Sequence, residues 1–287
     1  VVALTTGQVV ALETADVQVM STAQVVALST LGVRALGTDQ IEALTSAQVS
    51  ALTTGQILAL TSVQVGGLET VDVQVMSTAQ VWALTSVQAS ALGTSQVVAL
   101  TSTQVLALNT AAVRALTSDQ VAALTSVQVS ALTTGQVVAL TTGQVVALET
   151  ADVQAMSTAQ VVAFTSTQIA AFGTDQVAAL TTAQVSTLTT GQVLALTSAQ
   201  VGALETVDVK ALTSAQAGVL TSVQVSALGT QQVSVLGTLQ VGVLSTLGVR
   251  ALSTDQIAAL TSAQVSVLST GQILALTSVQ VGGLETV

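Results

Sequence analysis

Apolar and polar positions recur along this chain every eight residues. Written from Val9 it reads VVALETAD, VQVMSTAQ, VVALSTLG, VRALGTDQ, IEALTSAQ, and the register runs to Val287 without insertion or deletion. With the positions labelled a to h, a is Val or Ile except at Ala89 and Ala217. Position c is small, mostly Ala. Position d is Leu, varied by Met20, Met76, Met156, Phe164 and Phe172. Position f is always Thr or Ser, and h is mostly Gln, with Asp at Asp16, Asp72, Asp152 and Asp208. Positions b, e and g vary. Trp82 and every basic residue (Arg34, Arg114, Lys210, Arg250) fall at b, which therefore faces solvent.

This pattern predicts one short α-helix per octad. Position e is usually Thr, Ser, Gly or Asn, residues that satisfy the free N–H groups at a helix start. Gln or Asp at h then stands three residues into the helix and completes a capping box, as in Thr5-x-x-Gln8. The Leu before the cap and the Val after the box, for example Leu4 and Val9, occupy the places of a hydrophobic staple. On a helical wheel c, h, d and a share one arc, and f, b and g the other. The expected fold is a repeat solenoid, a superhelix of very short helices that buries a, c and d. The alternative is a β-solenoid with two or three octads per coil, since Val and Thr favour strands and Gly and Ser weaken helices. There, a and c point inward and b outward. The adjacent apolar pair at c and d breaks strand alternation and demands a corner or bulge.

A longer period lies over the octads. Residues 1–70 realign with 137–206, an offset of 136 residues, and residues 29–71 match 245–287 at all but four positions. No linker or change in composition interrupts 1–287, so the expectation is a single uninterrupted array. Such arrays are quasi-one-dimensional and are stable only collectively. The chain begins and ends inside repeats, as expected of a window on a longer array, or of chains that join end to end.

The phrase Leu-Thr-Thr-Gly-Gln-Val-Val-Ala-Leu at 4–12 resembles helix openings of α-solenoid repeats, including those of TAL-effector proteins. Those units are longer, basic and carry a base-reading loop, so DNA binding does not carry over. The whole array is similar to the octapeptide tracts of very long bacterial surface proteins labelled adhesin-like or haem-utilisation. That resemblance implies a secreted or cell-surface role in a filament, tube, stalk or giant adhesin, with the chain itself as the expected partner, end to end or laterally.

Composition narrows the chemistry. Half of the residues are apolar, only 6% are charged, and four Lys+Arg against fourteen Asp+Glu give a net charge of -10. A chain with so few cations and aromatics offers nucleic acid neither a phosphate-binding stripe nor stacking platforms. Mean hydropathy is +0.79, yet every apolar run is far shorter than the roughly 20 residues of a membrane span. His and Cys are absent, which removes the commonest general base, the thiolate nucleophile and the usual ligands of zinc and haem. No cofactor is expected, and the haem part of that label finds no axial ligand.

Other candidates are weighed on their residues. A Ser–Lys dyad would have to use Lys210, the sole Lys, and a carboxylate-pair glycosidase would need a cleft with aromatics. The expectation is a protein that is not an enzyme. The acidic pairs Glu13/Asp16, Glu69/Asp72, Glu149/Asp152 and Glu205/Asp208 suit a helix N-terminus electrostatically. Weak calcium binding is their alternative role. The Thr/Ser positions at e and f read as caps and corners; a hydroxyl face for ice or glycan, joined by Gln, is the alternative. The Gln at h reads equally as an internal ladder whose amides hydrogen-bond between successive coils, each donor and acceptor paired. Trp82 reads as an isolated exposed residue, or else as a partner anchor. No residue is assigned as catalytic, cofactor-binding or metal-ligating.

Overall fold

The computed structural model describes residues 4–284 and contains, among them, 35 α-helices and no strand. The helices are numbered in chain order from α1 (Thr6–Val10) to α35 (Ser278–Leu284), one per octad. The protein is thus a helical repeat solenoid, and the β-coil reading is not realised. Two compact units share the chain, Val1–Leu148 and Glu149–Val287, and the statements below hold within each.

Each helix has one build. In α7 (Thr54–Ala59), Thr53 at e is the N-cap with extended backbone, and its Oγ1 accepts the N–H of Gln56 at 3.2 Å. The Gln56 side chain returns to the Thr53 N–H at 2.9 Å, closing the capping box. The helix then ends at once. Leu60 (φ -58°, ψ 138°) and Thr61 (φ -73°, ψ 161°) are two consecutive extended residues, and together they make the corner into the next helix. Two extended residues need no left-handed backbone, and no described residue has positive φ. This is why the corners carry Leu-Thr and not Gly-rich turns.

A helix of five or six residues is unstable alone, so packing must hold it. Within each unit, helix n packs on helix n+3: α4 (Thr30–Ala35) on α7, and α28 (Ser222–Ser226) on α31 (Thr246–Ala251). Side chains at a and d line the core continuously; Val49, Ile57 and Val225 are wholly inaccessible, and the Leu at d is nearly so. Side chains at d from consecutive octads meet there. Phe164 and Phe172 stack edge to face with centroids 5.1 Å apart.

The buried set differs from expectation at two positions. Position c is mostly half-exposed, because it is the last helical residue or the C-cap and lies at the seam between coils. Its place is taken by h. Gln side chains there are typically 1–6% exposed, as deep as the apolar core. Positions b and g point outward as expected, so many Val and Leu are exposed there, among them Val63, Leu106 and Val127.

Candidate functional site

Burying a polar amide is unfavourable unless every donor and acceptor finds a partner. Gln88 shows how the repeat meets this. Its Oε1 accepts the N–H of Thr85 at 2.9 Å and the Thr85 hydroxyl at 3.0 Å. Its Nε2 donates to the carbonyls of Ile57 and Leu60, both at 2.7 Å. The side chain thus caps the start of its own helix and the end of a helix in the preceding coil. Both amide protons and both carbonyl lone pairs are used, a combination that neither Glu nor Leu can reproduce.

The same bridge recurs 31 and 28 residues back along each unit. Gln56 donates to Val25 and Leu28 in the first unit, and Gln224 to Val193 and Leu196 in the second. Twenty-eight residues are three and a half octads. Successive coils are therefore staggered by half a repeat, and each helix start lies against a helix end. Orphan N–H groups of one and orphan carbonyls of the other are joined by a single side chain.

Seven octads lack Gln at h: those with Asp16, Gly32, Asp72, Ala112, Asp152, Asp208 and Gly248. Two residues further along the same helix, at b of the following octad, each is followed by a long polar residue, namely Gln18, Arg34, Gln74, Arg114, Gln154, Lys210 and Arg250 in that order. All four basic residues therefore sit in helices that lack Gln at h, and all four side chains are exposed. Nothing in the structure explains the b preference. The coupling itself was readable from sequence by comparing h of one octad with b of the next, and it separates two kinds of helix.

One interruption is repaired locally. Ala112 stands at h, and Asn109, the only Asn in the chain, stands at e. Asn109 Oδ1 accepts the Ala112 N–H at 2.8 Å while Nδ2 donates to the carbonyls of Trp82 (2.8 Å) and Leu84 (2.9 Å). The amide has moved from h to e and performs the same two tasks.

The acidic octads are not repaired in this way. Asp72 and Asp208 are each only 2% exposed. Their Oδ1 atoms accept the hydroxyls of Ser46 (2.7 Å) and Thr182 (2.8 Å), 26 residues earlier. Burial pushes both carboxyls above the ordinary Asp range, and the neighbouring Glu69 and Glu205 push the same way against the hydroxyl bonds. Asp152 is also buried, and its Oδ2 accepts the Glu149 N–H at 3.1 Å; Asp16 is exposed. The paired Glu at e is the N-cap in each case.

Trp82 is 65% exposed at the end of α10 (Thr78–Trp82). It walls an open cleft of about 620 Å³ with Leu106, Thr78, Thr110 and Thr133, and no charged residue lines it. The hydroxyls at e are mostly engaged as caps, and those at f are mostly exposed. Lys210 is exposed, and among the described residues no three acids gather as a metal-binding group. No described helix is long and apolar enough to cross a membrane.

Comparison with curated proteins returns no match. The ALTTAQ repeat profile matches at residues 1–30, 9–46, 32–62, 65–102, 98–134, 145–182, 178–206, 201–238 and 234–270. These matches tile most of the sequence, and the chain belongs to the ALTTAQ repeat family.

Proposed function

We infer that this repeat protein is a non-catalytic scaffold, an extracellular or bacterial cell-surface element of a filament, tube, stalk or giant adhesin. The observation that carries this reading is the Gln bridge. Each octad with Gln at h presents a donor to the coil before it and carbonyls to the coil after it, so the structure can lengthen coil by coil. Separating two coils of such a ladder would expose amides on one side and carbonyls on the other. The two faces are complementary, which supports head-to-tail self-association of copies. The absence of His and Cys and the uniform surface support a role without catalysis.

The test is assembly. Purified chain imaged by negative-stain electron microscopy should form extended particles whose length grows with concentration. Replacing several d-position Leu by Asp should abolish both helical signal and extended particles. Wild-type chain that stays monodisperse at every concentration would remove the self-association part of this reading. A second reading, a surface that binds glycan, draws on the uncharged cleft beside Trp82 and its hydroxyls. It requires that Trp82→Ala abolish binding to a glycan array.

A further inference from the structure

Four octads change at e and h together: Glu13/Asp16, Glu69/Asp72, Glu149/Asp152 and Glu205/Asp208. Among the described residues Glu occupies e nowhere else. Capping does not account for the coupling, because Thr, Ser and Asp are the favoured N-caps, and Glu displaces them only where Asp has displaced Gln. The structure adds an independent observation. Asp72 Oδ2 is buried and has no hydrogen-bond partner.

The place of that oxygen follows from the ladder. In sister octads the h side chain donates to carbonyls 31 and 28 residues back. For Asp72 these belong to Ile41 and Leu44, and for Asp208 to Val177 and Leu180; no side chain donates to any of the four. Asp is one methylene shorter than Gln and, when ionised, donates nothing. In the octads of Asp72 and Asp208 a buried carboxylate, a Ser or Thr hydroxyl and the adjoining Glu therefore share one helix start, set in the ladder against two main-chain carbonyls that have no side-chain donor. Oxygens of one sign brought together in a low-dielectric setting repel, and a positive charge among them reverses that balance.

We propose that Asp72, with its unpartnered buried oxygen, marks a site for a hard divalent cation of the calcium type, and that the same residue set recurs at Asp208. Its ligands are the Asp carboxylate and the main-chain carbonyls of the preceding coil, with Glu69 or Glu205 as the second carboxylate. All-oxygen donor sets of this kind are those that calcium selects. Gly248 supplies an internal comparison. The carbonyls of Ala217 and Leu220 also lack a side-chain donor, but no acid stands at h.

The experiment uses the full chain, stripped with EDTA and titrated with CaCl₂. Calcium stoichiometry comes from isothermal titration calorimetry and the thermal midpoint from circular dichroism at 222 nm. Binding with Kd on the order of 10⁻⁴–10⁻³ M, as in extracellular calcium modules, should raise the midpoint. Magnesium, or NaCl at equal ionic strength, should not. Asp72→Gln and Asp208→Gln install the repeat's own residue, so each should keep full helicity while removing one bound ion. No calcium binding, or unchanged stoichiometry in the double variant, would each overturn the proposal.

Discussion

Replacing Gln88 by Leu or by Glu separates the two tasks of the bridge. Gln88 is 2% exposed and joins Thr85 to Ile57 and Leu60. Leu fills similar volume but leaves the Thr85 N–H and two carbonyls without this partner. At about 1 kcal/mol net per lost bond, more where a group stays buried and unpaired, the loss is about 3–5 kcal/mol. Glu keeps the acceptor but, ionised, sets a negative oxygen against two carbonyl oxygens. The cost of a buried unpaired charge then makes Glu the worse replacement at pH 7. The introduced carboxyl has a raised pKa in the folded state. Its favourable contribution is therefore present at low pH and lost as pH rises through that pKa. Urea midpoints followed at 222 nm should order wild type, Leu, Glu at pH 7. At pH 4, Glu should recover relative to wild type, because the protonated acid can donate to one carbonyl. A Gln88→Glu protein that unfolds at the wild-type midpoint at pH 7 would refute the reasoning.

Other substitutions probe the remaining parts. Gly202→Val places a Cβ 2.9 Å from the Ala227 carbonyl in the next coil and should destabilise by about 1–3 kcal/mol in thermal melts. Gly55→Ala meets nothing closer than 3.9 Å and should stabilise by about 0.5–1 kcal/mol in the same assay. Gly93, an N-cap at φ -68°, tolerates Thr without strain, and Gly93→Thr should raise the urea midpoint slightly. Leu60→Ala, in the core at d, should cost about 2–5 kcal/mol.

The octad, the helix it forms and its cap were legible in the residues. Thr at e with Gln three positions on is a local signal, and helix ends are set locally. That Gln at h could be internal and join successive coils was legible too; which carbonyls its Nε2 reaches was not. That depends on which octad of the preceding coil lies against it, which no eight-residue pattern records. The wheel placed c in the core because it treats each helix as indefinitely long. In helices of five or six residues c is already the exit, and h, nearer the start, takes the buried side. Asn109 and the carriers of Gly32, Ala112 and Gly248 are visible in sequence only once h is known to be a bridge. The Glu and Asp pairs were visible throughout. Their role as helix-start charges ceased to be sufficient once Asp72 was found buried with an unpartnered oxygen.

The account rests on Gln side chains that are internal and doubly bonded, and their own protons report this. With glutamine ¹⁵N-labelled at Nε2, side-chain amide exchange can be read by NMR without assigning individual repeats. Most Nε2 protons should exchange slowly, and a minority at the free rate, namely those of the exposed Gln8, Gln18, Gln24, Gln74, Gln154 and Gln231. Uniform exchange at the free rate would place the ladder on the surface and contradict the account.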